Sequence, residues 1–120
     1  NGKGMLTASG FRQHYLLGVQ LRNRYVQEFE DDGKLLSQTY QPNEIYVRST
    51  DIARAIQSAN SQLLGLYPLG IAEKLEENLI ERSCPAINIL DMKTIQKELG
   101  TEAVQSDFQP IPVHNRNGYD

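Results

Sequence analysis

Glu44-Ile45-Tyr46-Val47-Arg48-Ser49-Thr50-Asp51-Ile52-Ala53-Arg54-Ala55-Ile56 decides the fold of this chain. Ile45, Tyr46 and Val47 are consecutive strand formers bounded by Pro42-Asn43 and Ser49-Thr50-Asp51, so residues 44–49 predict a short strand. Apolar or small residues then return at Ile52, Ile56, Ala59 and Leu63, the spacing of an amphipathic helix over 51–64. Ser49, Thr50 or Asp51 can cap its first turn, and Tyr67-Pro68 stops it. Strand, tight turn and helix together make half of a βαβ unit, which predicts an α/β fold. Arg48 ends the strand just before the helix N-terminus, the edge at which open α/β sheets bind ligands and helix ends attract anions. Its planar donor fork suits two phosphate oxygens, while an ion pair with Asp51 or Glu44 is the competing use. Arg54, one turn into the helix, reads as a salt-bridge residue.

Toward the N-terminus, apolar or small positions at 14, 17, 18, 21 and 25 predict a helix between Phe11 and Phe29, capped by Thr7 or Ser9. Gly18 inside it costs roughly 1 kcal/mol relative to Ala, so close packing against another backbone is its expected reason. His14 lies on the apolar face, where a hydrogen-bonded packing role is favoured. Residues 1–4 read as a loop and Glu30-Asp31-Asp32-Gly33 as the turn that ends the helix. Toward the C-terminus, Ala72–Arg82 predicts a polar helix, Pro85–Leu90 an extended segment, and Met92–Leu99 a short helix closed by Gly100. The prolines of Gln109-Pro110-Ile111-Pro112-Val113-His114 push their predecessors out of the helical region, so this run is extended and His114 is structural.

A chain of 120 residues carries one small domain or a piece of a larger one, and its composition is ordinarily globular, with 39% hydrophobic residues and mean hydropathy of −0.50. Residues 1–70 hold seven basic and six acidic side chains, and 71–120 hold five and nine, giving the net charge of −3. No Lys/Arg cluster fit to track a nucleic-acid backbone is present. No apolar run approaches the ~18 residues of a membrane span. The single cysteine, Cys84, makes neither an internal disulfide nor a zinc site by itself. Gly2-x-Gly4 lacks the third glycine of a dinucleotide loop, and no P-loop, zinc-protease helix or calcium-binding loop occurs.

Leu6-Thr7, Gly10, Gln13-His14, Leu17-Gly18 and Leu21-Arg22-x-Arg24-Tyr25 resemble the LTxxGxxQHxxLGxxLRxRY run of the histidine acid phosphatases. Tyr46-Val47-Arg48-Ser49-Thr50-Asp51 is similar to that family's YxRSTD segment, and Ser58-Ala59 and Gly65-Leu66-Tyr67-Pro68 to the residues downstream of that segment in the family. Gln109–His114 resembles its WQPIPVH element, with Phe108 in the place of Trp. The motifs are collinear over residues 4–68 and 108–114, while 69–107 match poorly, so residues 1–120 are expected to form one partial domain of that family with 69–107 cap-related.

The resemblance implies a partial αβα sandwich of the histidine phosphatase type, lacking the first strand. It implies hydrolysis of small phosphomonoesters through a phosphohistidine, with no metal and no cofactor because arginines neutralise the phosphate. In the family an RHGxRxP motif gives the nucleophile and two arginines, and a distant His-Asp pair completes the site. This chain contains neither Arg-His-Gly nor His-Asp, so it is read as an internal fragment without a nucleophile or proton donor. The arginine of RSTD is carried over as Arg48, the one phosphate-binding residue assigned; Asp51 is expected to cap the helix behind it. The alternatives are a non-catalytic phosphate-binding pseudo-phosphatase, or a relative specialised for phytate, lysophosphatidic acid or a phospho-sugar. A secreted or lysosomal setting is implied by the resemblance alone. With the first strand upstream, the 44–49 strand is expected to lack a partner and the chain to fold with poor cooperativity.

Overall fold

The computed structural model describes residues 4–27 and 35–115. Phe29, the turn expected at 30–33 and most of the opening loop lie outside the described residues. The main elements are α1 (Ala8–Arg22), β1 (Val47–Ser49), α2 (Ala53–Leu66), α3 (Met92–Leu99) and β2 (Val113–Asn115). The chain forms two compact units, one of residues 1–68 with 110–120 and one of residues 69–109.

In the first unit, Thr7 caps α1 as expected, its Oγ1 accepting from the Gly10 amide at 3.1 Å. A single π turn, Asn23–Gln27, continues the helix. β1 is not a lone strand. It pairs in parallel with β2 in the register Val47↔Val113, Arg48↔His114 and Ser49↔Asn115. The expectation of an unpartnered strand is therefore corrected: the Pro-rich run at 109–114 leads into the neighbour that satisfies the ladder. Because β1 and β2 are parallel and joined through α2, the half unit read from sequence becomes a βαβ crossover and the fold is α/β.

The cap of α2 also differs from expectation. Ile52, extended at φ −128° and ψ 134°, holds the N-cap position in place of Ser49, Thr50 or Asp51. The Ile52 amide turns back to the Thr50 carbonyl at 2.8 Å, and Ser49 Oγ donates to that same carbonyl at 2.8 Å. This tight turn uses up the polar residues before the helix begins.

Between α1 and α2 the backbones touch. A Cβ at Gly18 would overlap the Gln62 carbonyl oxygen and sit 3.0 Å from the Leu66 amide. One at Gly65 would overlap the Tyr15 carbonyl oxygen and lie 2.6 Å from the Val19 amide. The reason expected for Gly18 is thus the one observed. Two side chains of α1 flank it: His14 Nδ1 meets Gln62 Nε2 at 3.2 Å, and Arg22 Nη1 donates to the Leu66 carbonyl at 2.8 Å and to Gln38 O at 3.1 Å. Val26, Leu63, Leu66 and Tyr67 are buried beside this contact. The Tyr67 ring stands edge-on to Tyr40 at 5.8 Å, and burial pushes its phenol above the ordinary value.

The unit of residues 69–109 closes on itself. Gly70 N donates to Ser106 O at 2.9 Å, Ala72 N to Asp107 O at 3.3 Å and Leu75 N to Thr101 O at 2.8 Å. Asp107, 4% exposed, takes an ion pair from Lys74 Nζ. α3 spans the expected residues and ends at Gly100. The helix expected over 72–82 is instead a pair of 3₁₀ turns, Glu77–Leu79 and Glu81–Ser83. That stretch buries no residue in either turn, and short helices owe most of their stability to a packed apolar face. Pro85–Leu90 forms no strand. No helix among the described residues is long and apolar enough to cross a membrane.

The helix contact gives a direct test. Gly18→Ala and Gly65→Ala each force backbone apart and are expected to cost about 3 kcal/mol or more of stability. A Cβ at Gly10 would come 2.9 Å from Leu6 Cγ and Cδ1, side-chain atoms that can shift where backbone cannot, so Gly10→Ala is expected to cost about 1 kcal/mol or less. Chemical denaturation of the three variants checks this ordering, and a Gly18→Ala chain as stable as Gly10→Ala would contradict it.

Candidate functional site

Arg48 is the middle residue of β1 and is exposed. Side chains alternate along a strand, so Tyr46 and Arg48 share one face, and the parallel register puts His114 on that face next to Arg48. Tyr46 and His114 stack, with ring centroids 4.4 Å apart and planes 7° from parallel. From sequence, His114 reads as a structural residue of a distant motif, with no connection to Arg48. The missing signal is the strand register, which two short segments separated by more than sixty residues do not disclose.

Past Ser49 the chain makes the Thr50–Ile52 turn and enters α2. Ile52 carries no side-chain acceptor, so the N-cap residue of α2 makes no side-chain cap hydrogen bond to the first turn. Arg54 lies near the arm that precedes α1: a Cβ at Gly4 would stand 4.0 Å from its Nη1. The Leu6 amide of that arm donates to Gln57 Oε1 on α2 at 2.9 Å. The α2 hydroxyls of Ser58 and Ser61 turn back onto the carbonyls of Arg54 and Gln57 at 2.8 and 2.9 Å.

Just before β1, Glu44 braces the approach. Its Oε1 accepts from the Ser37 amide at 2.9 Å and its Oε2 from Ser37 Oγ at 2.7 Å. The backbone bond first, and then the hydroxyl, hold the Glu44 carboxyl below the usual glutamate range. Among the described residues no group of three or more His, Cys, Asp or Glu gathers as a metal site requires. The site's chemistry rests on a guanidinium, a helix end and a stacked ring pair. Of the two histidines, His114 stacks on Tyr46 next to Arg48, and His14 bonds Gln62 between α1 and α2.

The family described as the histidine phosphatase superfamily (branch 2) matches this chain over residues 1–113. A lysosomal acid phosphatase of Homo sapiens is 32% identical over 119 residues, covering 94% of this chain and 26% of that protein. A lysosomal acid phosphatase of Xenopus laevis is 46% identical over 67 residues, 56% of this chain and 14% of that protein. A prostatic acid phosphatase of Mus musculus is 43% identical over 67 residues, 56% of this chain and 16% of that protein. The chain spans about a quarter or less of the length of these relatives.

The Glu44 brace has a defined pH dependence. A carboxyl whose folded value is depressed contributes fully above its unfolded value and loses that contribution as pH falls through the folded one. The brace should therefore hold above the ordinary glutamate value of about 4.3 and open only below it. The Ser37 amide proton shift, followed by NMR from neutral pH downward, is expected to titrate below that value and to lose the transition in Glu44→Gln. A midpoint at or above it would show the brace absent.

Proposed function

This chain belongs to the histidine phosphatase superfamily, branch 2, and on that footing we propose that the whole protein hydrolyses phosphate monoesters and that Arg48 is the phosphate ligand this stretch supplies. The observation that carries the reading is the position of Arg48. It sits on a parallel strand whose C-terminal end runs straight into a helix N-terminus that has no side-chain cap. A guanidinium there offers two parallel donors to two phosphoryl oxygens, and the helix end adds a favourable field.

The role is electrostatic. Arg48 neutralises charge on the phosphoryl group as it transfers. The phosphoryl acceptor and the proton donor of a phosphohistidine mechanism come from outside these 120 residues, which contain no Arg-His-Gly and no His-Asp. His14 and His114 match positions of the family motifs other than that of the nucleophile, which supports keeping both out of its role. The names of the relatives, lysosomal and prostatic acid phosphatase, support the same activity. The substrate is a small phosphomonoester.

Two measurements test the reading. The 120-residue chain alone is expected to turn over no p-nitrophenyl phosphate between about pH 4 and 8, because one arginine binds but accepts no phosphoryl group. In the whole protein, Arg48→Lys keeps the charge but loses the fork, and is expected to lower kcat/KM by about 10²–10³. Arg54→Lys is expected to cost less than about tenfold, since Arg54 is exposed and the salt bridge expected for it is not formed among the described residues. Equal losses, or a larger one at Arg54, would mean that the clamp is assigned to the wrong arginine.

A further inference from the structure

We propose that the Tyr46–His114 ring stack is a positioning pair that locks the strand register on which Arg48 depends; this rests on the reading of Arg48 as the phosphate ligand. Among the described residues β1 and β2 pair over three residues each, Val47–Ser49 against Val113–Asn115. So short a ladder holds its register weakly by backbone bonds alone. The register matters more than usual here, because a slip of one residue turns every side chain of the slipped strand to the other face. For β1 that would carry Arg48 away from the side on which it now stands beside His114.

The stack supplies what the short ladder lacks. His114 is the register partner of Arg48, and Tyr46 lies two residues before Arg48 on the same face. The Tyr46 ring thus reaches diagonally across the strand pair to lie 4.4 Å over the imidazole, nearly parallel at 7°. A flat contact between those two rings is compatible with one register and is broken by a slip in either direction. Tyr46 is 59% exposed, so little of its ring is spent on filling a core. Its contribution is placement of the neighbouring arginine, and neither ring needs to touch the phosphate.

A double-mutant cycle in the whole protein tests this, with kcat, KM and inhibition by inorganic phosphate measured on one small phosphomonoester. Tyr46→Phe keeps the flat ring and is expected to stay within about twofold of the native protein. Tyr46→Ala and Tyr46→Leu lose it and are expected to weaken KM and phosphate inhibition together by roughly three- to tenfold, the scale of one aromatic stack. In an Arg48→Ala background, the same Tyr46 changes are expected to add nothing, because the residue through which they act is gone. Thermal unfolding of each variant separates loss of placement from loss of fold, and Tyr46→Leu keeps an apolar side chain where Ala would leave a gap. Native phosphate inhibition in Tyr46→Leu and Tyr46→Ala, or an undiminished further loss in the Arg48→Ala background, would overturn the positioning role and leave Arg48's role standing. Native phosphate inhibition in Arg48→Ala would overturn the reading of Arg48, and the positioning role with it.

Discussion

The approach of α1 to α2 at Gly18 and Gly65 is the constraint on which the rest of the first unit hangs. Backbone meets backbone there, with no side chain between to adjust the distance. His14, Gly18 and Arg22 recur at four-residue steps on one stripe of α1, so the glycine contact is flanked by polar side chains that bond α2 on either side. Those bonds fix rotation and sliding as well as distance. Once α2 is placed, so is the end of β1, because only the Thr50–Ile52 turn separates them. Arg48 therefore inherits its position from the pairing of two helices, to which that turn ties its strand.

Much of this is legible in the sequence, and the exceptions share a cause. α1, α2 and α3 announce themselves through apolar spacing, and Gly18 through the helix-propensity cost that only a close contact would justify. Arg48 is legible as a candidate from local order alone, strand then helix. The hidden part depends on pairing between distant segments. The partner of β1 and the stack of Tyr46 on His114 come from a register set across the crossover, and neither segment encodes it locally. The unexpected cap of α2 has a different origin. Ser49, Thr50 and Asp51 are all good caps by type, but the turn that they build commits Thr50's carbonyl and Ser49's hydroxyl first and hands the cap position to Ile52. The 72–82 stretch carries apolar residues at helical spacing, Ala72, Leu75, Leu79 and Ile80, yet none of them is fully buried, and it forms two 3₁₀ turns in place of a helix.

The surface of α1 bears on how this stretch would serve a larger phosphatase domain. Phe11, Tyr15, Leu16, Leu17 and Val19 are all substantially exposed, although α1 already packs one side on α2. A helix apolar on several sides suits burial on several sides. The proposed whole protein, of whose relatives this chain spans about a quarter or less, accounts for that excess. The 69–109 unit behaves differently. Its two ends are tied to each other through Gly70, Ala72 and Lys74 meeting Ser106 and Asp107, so its closure is internal.

A carboxylate brace weakens when it protonates. Glu44 avoids this because its two oxygens accept from one serine, backbone amide and hydroxyl together, and those bonds favour the ionised form. Glu44 stands four residues before Arg48, at the entry to β1. The brace that delivers the chain to β1 is thus at full strength above the ordinary glutamate value. On the strand itself, the Tyr46 and His114 rings stack across the pair, and Arg48 stands at the end of β1 that turns into α2. The division obeys the physics of each group: the ionisable brace is protected by hydrogen bonds, and the ring pair is matched by shape.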